Sequence, residues 1–209
     1  MTNHVQRFIT AAVIAFALQS SAFAQSPLAS LIKGPATPPE IQAPAGAVAF
    51  LKGRATGTQN YICQVAESGF FWKFIGPQAT LFVSLQWNNT EILQQITTHF
   101  LSPNPAESGV ARATWQSSLD TSAVWAKAIA STSDPKYVAL GAIPWLLLQK
   151  VGTRVGPTGG TVLAQTTYIQ RLNTTGGPAP SSGCTESSNV GSTAFVPYTA
   201  DYYFYTGGN

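Results

Sequence analysis

Residues 57–87 carry the strongest structural signal in the chain, with the sequence GTQNYICQVAESGFFWKFIGPQATLFVSLQW. Tyr61, Cys63 and Val65 lie two positions apart and would share one face of an extended segment. The same spacing recurs in a second run of apolar side chains, at Leu81, Val83, Leu85 and Trp87. A period of two is typical of a β-strand, whose successive side chains point to opposite faces. The stretch therefore predicts two strands.

Glycine, proline and asparagine mark the ends of these predicted strands. Gly76-Pro77 predicts a turn before the second strand, and Asn88-Asn89 predicts the end of that strand. Residues 70–75 carry aromatic side chains on both faces, so we expect them to be largely buried.

The rest of the chain continues the strand pattern, in residues 111–117, 123–130, 161–172 and 198–205. Residues 91–101 fit either a helical stripe or a β-branched strand, and we favour the strand. Residues 143–149 fit either a strand or a short helical turn. Because no long amphipathic helix is apparent, residues 47–209 are predicted to form one all-β domain, an antiparallel β-sandwich or barrel-like domain with long loops.

The composition excludes several classes of function. Charged residues make up only 9% of the chain, against roughly 25% in an average soluble domain. The net charge of +3 comes with no run of Lys or Arg, so nucleic-acid binding is not expected. No phosphate loop, nucleophile elbow or dinucleotide fingerprint is present, and we expect no cofactor.

The first residues have the pattern of a secretory signal peptide. An apolar run at residues 8–18 precedes the small-x-small sequence Ala22-Phe23-Ala24, which predicts cleavage after about Ala24. The run is shorter than the ~20 residues that a membrane span needs, so no transmembrane anchor is expected in the mature chain. Residues 25–46 form a proline-rich leader. The mature protein is predicted to be secreted or periplasmic.

Export to an oxidising compartment also affects whether the two cysteines are expected to form a disulfide. In an oxidising compartment an isolated pair usually forms a disulfide, so we expect a Cys63–Cys184 bond. Asn88 and Asn173 each begin an Asn-x-Thr acceptor pattern for glycosylation, which matters only in a host that glycosylates.

Three residues are candidates for catalysis. His99 is the one histidine left after signal cleavage, so a metal site is not expected, and His99 is either a general base or, as we favour, a hydrogen-bonded core residue. Asp120 and Asp201 are the carboxylates to test as a glycosidase pair. We favour a structural role for Asp201, pairing with Arg171 or capping a loop.

Aromatic side chains are the candidates for ligand binding, at Trp72, Trp115, Tyr203 and Tyr205. The alternative is that they belong to the core. Residues 198–205 are predicted to be an interior strand, with Tyr202 and Phe204 facing the core and Tyr203 at the surface.

Several tracts are distinctive: GTQNYIC at 57–63, WKFIGPQA at 72–79, IPWLL at 143–147, YIQRLNTTGG at 168–177, Cys184 and VPYTADYYFY at 196–205. Together they resemble a secreted family known as domain of unknown function 3455. The resemblance implies secretion and one domain over most of the mature chain. Some relatives carry the label malate dehydrogenase, which the absence of a dinucleotide fingerprint does not support.

Two classes of function follow. The first, which we favour, is a secreted binding or surface-associated structural protein with an aromatic-rich face for a carbohydrate or small apolar ligand. The second is a secreted, glycosidase-like hydrolase that uses a carboxylate pair.

Overall fold

The computed structural model describes residues 32–208, and the predicted signal peptide lies outside them. The strands are β1 Val48–Ala66, β2 Gly69–Trp87, β3 Thr90–Asn104, β4 Val110–Ser117, β5 Ala123–Thr132, β6 Trp145–Arg154, β7 Tyr168–Gly176 and β8 Thr193–Thr206. Each strand pairs antiparallel with the next, and β8 pairs back onto β1 to close a barrel. The prediction of an antiparallel all-β domain is confirmed.

The predicted turn at Gly76-Pro77 is wrong, because β2 runs through it without a break. The β1–β2 register shifts where Asn60 pairs with Gly76 and Tyr61 pairs with Phe74, which leaves Ile75 as an extra residue in β2. Gly76 has a φ of 131°, which favours glycine. A proline beside a β-bulge is compatible with a strand.

The expected burial of residues 70–75 is also wrong, since Phe71 and Phe74 are each more than 40% exposed. Only residues 79–87 of β2 pair with β3. The first half of β2 therefore extends beyond the barrel as one arm of a hairpin with β1, where less of its surface is covered.

The structure also decides between helix and strand for the segments that the sequence left ambiguous. Residues 91–101 lie in β3, and Asn88-Asn89 form the β2–β3 turn as predicted. Residues 145–149 belong to β6, which settles the alternative at 143–149 in favour of a strand. The predicted strand at 161–172 begins only at Tyr168, because the residues before it belong to the β6–β7 connection.

Apolar side chains form one cluster inside the barrel and a second cluster outside it. The inner cluster includes Leu81, Trp115, Tyr202 and Phe204. The outer cluster contains Tyr203 and Tyr205 together with Ile41, which lies in a 3₁₀ turn at Pro39–Ile41. The predicted surface position of Tyr203 is wrong: its side chain is only 2% exposed, because residues of the proline-rich leader pack over β8.

The predicted disulfide is confirmed. Cys63 and Cys184 are bonded, with their Cα atoms 5.5 Å apart. The β7–β8 connection also runs beside β1, because the backbone N–H of Cys63 donates to Ser192 and the carbonyl of Cys63 accepts from Gly191. No helix within residues 32–208 is long and apolar enough to cross a membrane.

Candidate functional site: a cavity at the open end of the barrel

One end of the barrel is filled, and the other contains a cavity. Leu163, from the β6–β7 connection, is fully buried in the inner cluster and packs with the side chains that fill the first end. A cavity of about 370 Å³ lies toward the other end. Each strand supplies at least one wall residue, among them Gln59, Phe74, His99, Trp115, Ala126, Leu148, Arg171 and Tyr202. The site is therefore the interior of the barrel.

Small side chains on adjacent strands leave this space empty. The alanines in the wall are Ala111 and Ala113 on β4 and Ala126 and Ala128 on β5. Larger residues in inward positions would fill the interior, as they do at the other end of the barrel. Apolar residues also line the cavity, and two of them, Phe74 and Leu101, are 45% and 37% exposed.

His99 forms part of the cavity wall and stacks on Trp115, with ring centroids 4.1 Å apart and planes 8° from parallel. Its Nδ1 lies 2.9 Å from the carbonyl oxygen of Thr114. A carbonyl can only accept, so Nδ1 carries the proton and Nε2 is left as an acceptor. This arrangement agrees with the hydrogen-bonded core histidine that the sequence favoured.

Burial lowers the pKa of His99 to about 3. The bond to Thr114 opposes this shift, and the positive charge of Arg171 adds to it. The imidazole is therefore neutral at physiological pH.

Arg171 brings a positive charge to the cavity. Its Nε and Nη2 donate to the carbonyl oxygen of Pro144, at 3.2 and 2.9 Å. A carbonyl oxygen orients the guanidinium but does not neutralise it. The predicted pair between Arg171 and Asp201 is absent from the ion pairs of residues 32–208.

Asp201 lies on the outer face of β8, on the other side of the sheet from the cavity. Its carboxylate contacts Lys52 Nζ at 3.2 Å and Arg54 Nη1 at 3.7 Å. The side-chain amide of Asn173 donates to the same carboxylate at 3.0 Å. Asp201 therefore has a structural set of partners, although not the one predicted.

Asp120 is in the β4–β5 turn, where it holds the connection that closes the filled end. Its carboxylate accepts from the backbone N–H of Val162 at 2.9 Å and from the hydroxyl of Ser122 at 2.7 Å. Burial favours the protonated form, but the hydrogen bonds outweigh it and lower the pKa of Asp120 to about 2. Neither Asp120 nor Asp201 lines the cavity.

The predicted ligand-binding aromatics occupy different places. Trp115 is fully buried in the cavity wall, whereas Tyr203 and Tyr205 belong to the outer cluster. Trp72 lies on the β1–β2 hairpin, and its indole N–H donates to the carbonyl of Ser182 at 3.0 Å. Trp72 thus packs against the disulfide-bonded connection.

Sequence reasoning missed Arg171 and Gln59 as residues of a site. Gln59 is 3% exposed, and its Nε2 has no hydrogen-bond partner within the described residues. The signal that was available is the placement of polar side chains at inward positions of predicted strands. No group of three or more His, Cys, Asp or Glu in residues 32–208 is arranged to hold a metal ion.

Comparison with known proteins places the barrel in a family. The family model described as protein of unknown function (DUF3455) matches residues 44–206. The chain belongs to the DUF3455 family. The matched range contains all eight strands, so the barrel with its cavity is the DUF3455 domain of this chain. No curated protein and no solved structure shows a significant match.

Proposed function

We propose that this DUF3455 protein is an exported binding protein that takes a small, largely apolar ligand into the open end of its barrel. The cavity carries the proposal: its volume of about 370 Å³ falls within the range of roughly 300–1,000 Å³ typical of small-molecule pockets. Eight-stranded barrels are also wide enough to hold one small ligand.

The chemistry of the wall supports an apolar ligand body. Alanine, leucine and phenylalanine side chains make up eight of the sixteen lining residues, and five of the sixteen are polar or charged. Burying apolar surface there contributes roughly 25 cal/mol per Å². The partly exposed rings and methyl groups of Phe74 and Leu101 would also lose contact with water when a ligand covers them.

Export is the second part of the proposal. It is supported by the signal-like sequence at residues 1–24 and by a disulfide of the kind that oxidising compartments maintain. Intact mass of the exported protein tests it: a chain that begins near Gln25 is expected, and retention of residues 1–24 would contradict it.

The alternative of a glycosidase-like hydrolase receives no comparable support. No Asp or Glu lines the cavity, and a glycosidase needs two carboxylates facing its substrate. We therefore propose binding without hydrolysis.

A fluorescence titration tests the binding proposal. N-phenyl-1-naphthylamine, a neutral apolar probe, is expected to bind saturably to the wild type at one equivalent. Ala128→Phe places a large side chain in the cavity wall and should weaken binding about tenfold. Ala66→Phe makes the same change at an exposed position in the β1–β2 hairpin and should bind like the wild type. Absence of saturable binding, or equal binding by both variants, would contradict the proposal.

A further inference from the structure

The charge balance of the cavity identifies the class of its ligand. Arg171 is a wall residue, and none of the acidic side chains of the chain forms an ion pair with it. All eight Asp and Glu residues lie within residues 32–208, so no acidic side chain is left out of this comparison. The guanidinium carries a positive charge.

The guanidinium is held in place and keeps free hydrogen-bonding capacity. Two of its N–H groups donate to the carbonyl oxygen of Pro144. An arginine has five such donors, so the two bonds fix its orientation and leave others for a further acceptor. A planar guanidinium matches the two oxygens of a carboxylate.

The other charged side chains of the wall do not neutralise the positive charge of Arg171. Arg112 is already paired with Glu107, with Nη2 and Oε1 2.7 Å apart. Lys127 is exposed and adds a second cation to the lining. The cavity therefore has a positive potential, which attracts a negatively charged ligand.

We propose that the ligand is a monocarboxylate with an apolar tail, whose carboxylate binds Arg171 while the tail packs on the alanine and leucine side chains of the wall. A single negative charge can pair with Arg171, and the exposed Lys127 adds to the attraction. The inference rests on the proposed binding function and specifies its ligand.

The test compares octanoate with octan-1-ol, which has the same chain length and no charge. Isothermal titration calorimetry of the full exported protein at pH 7.5 is expected to show that octanoate binds at least about tenfold more tightly than octan-1-ol. The neutral form of His99 at this pH adds no charge of its own.

Three variants locate the charge that produces the preference for octanoate. Arg171→Gln should weaken octanoate binding about tenfold or more and change octan-1-ol binding by less than about threefold. Arg154→Gln removes the same charge from an exposed position outside the cavity and should leave both affinities unchanged. Arg171→Lys keeps the positive charge and should retain part of the preference for octanoate.

The outcomes separate this inference from the proposed function. If octan-1-ol binds at least as tightly as octanoate to the wild type, the carboxylate inference is overturned while apolar binding stands. If neither ligand binds and the neutral fluorescent probe does not bind, the proposed function itself fails. Should Arg171→Gln not fold, the wild-type ratio of the two affinities still decides the inference.

Discussion

At the scale of single residues, Asp120 illustrates a carboxylate that stabilises the fold through its hydrogen bonds. It connects the β4–β5 turn to Val162 and, through the Ser122 hydroxyl, to the neighbouring backbone N–H of Leu163. Leu163 in turn fills the closed end of the barrel. This acidic residue was a catalytic candidate in the sequence because nothing local reveals a partner 42 positions away.

Asp120→Ala is expected to lower the free energy of unfolding by about 1–3 kcal/mol, because it leaves the N–H of Val162 without its acceptor. Urea denaturation of purified protein measures the change. Glu67→Ala, at an exposed position of the β1–β2 turn, is the matched control and should change stability by less than about 0.5 kcal/mol. Equal losses in the two variants would show that the hydrogen bonds of Asp120 do not hold the connection.

His99 contributes to the way that stability responds to mild acid. Its pKa is about 3 in the folded barrel because burial opposes the charged form, whereas an unfolded histidine titrates near 6.5. Between these two values the unfolded chain binds a proton that the folded chain does not. Stability contributed by the neutral imidazole is therefore lost as the pH falls from about 6.5 toward 3.

His99→Gln is expected to flatten this dependence, since glutamine does not titrate and still carries an N–H donor for the carbonyl of Thr114. Urea midpoints at pH 7.0 and pH 4.5 measure the effect: the wild type should lose more stability than the variant. Glu107 and Asp120, with folded pKa values of about 2, also lose stability near pH 4.5, because their carboxyls bind protons more readily in the unfolded chain. Both residues are present in the two proteins, so the difference between the two pH dependences belongs to His99. Parallel slopes in the two proteins would refute the assignment.

At the scale of elements, the strands could be predicted because their period of two is a local property. The sequence pattern at residues 79–87 lies in β2, and the pattern at 198–205 lies in β8. The failures come from contacts that no local pattern contains. Gly76-Pro77 has the composition of a turn, yet pairing with β1 keeps it in the strand as a bulge.

The two faces of β8 also show that a local sequence pattern does not predict contacts with distant segments. Tyr202 and Phe204 face the interior as predicted, but Tyr203 is covered by a leader segment with few large apolar residues. One of those residues is Ile41, which is fully buried. A strand covered on both faces cannot be told from a half-exposed one when the cover is a short, proline-rich segment.

A double-mutant cycle tests the cover over β8. Phe204→Ala and Tyr203→Ala are each expected to lower the free energy of unfolding by about 3–5 kcal/mol, since both rings are buried. Ile41→Ala should couple to Tyr203→Ala, because the two residues share the outer cluster, and should be additive with Phe204→Ala. Denaturant midpoints of the single and double variants measure the coupling between Ile41 and Tyr203 and the additivity of Ile41 with Phe204. A small loss for Tyr203→Ala would mean that the leader leaves β8 exposed in solution.

At the scale of the whole molecule, the cavity depends on barrel closure. Its wall runs from Gln59 on β1 to Tyr202 on β8 and includes residues from every strand between them. The alternation of each strand predicts which side chains share a face, but not which strands surround a common space. The sequence therefore indicated Trp115 and His99 as separate candidates and gave no sign that Arg171 lies in the same wall.

The disulfide joins the first strand to the connection that precedes the last strand. It links β1 to the β7–β8 connection over a sequence separation of 121 residues. That connection also contacts the β1 side of the barrel through Gly177, whose carbonyl accepts from the hydroxyl of Tyr61 at 2.7 Å. Closing so long a loop restricts the unfolded chain more than the folded one.

Removing the bond in the double variant Cys63→Ser with Cys184→Ser is expected to lower the free energy of unfolding by roughly 4–5 kcal/mol, as loop-closure entropy predicts for a loop of this length. The barrel itself should persist at low denaturant, because its strands pair independently of the bond. Urea unfolding and far-UV circular dichroism measure the two effects, and wild type treated with a thiol reductant is the control that should match the variant. Unchanged midpoints in both samples would show that the bond does not constrain the unfolded chain, and its effect would then be confined to the connection beside β1.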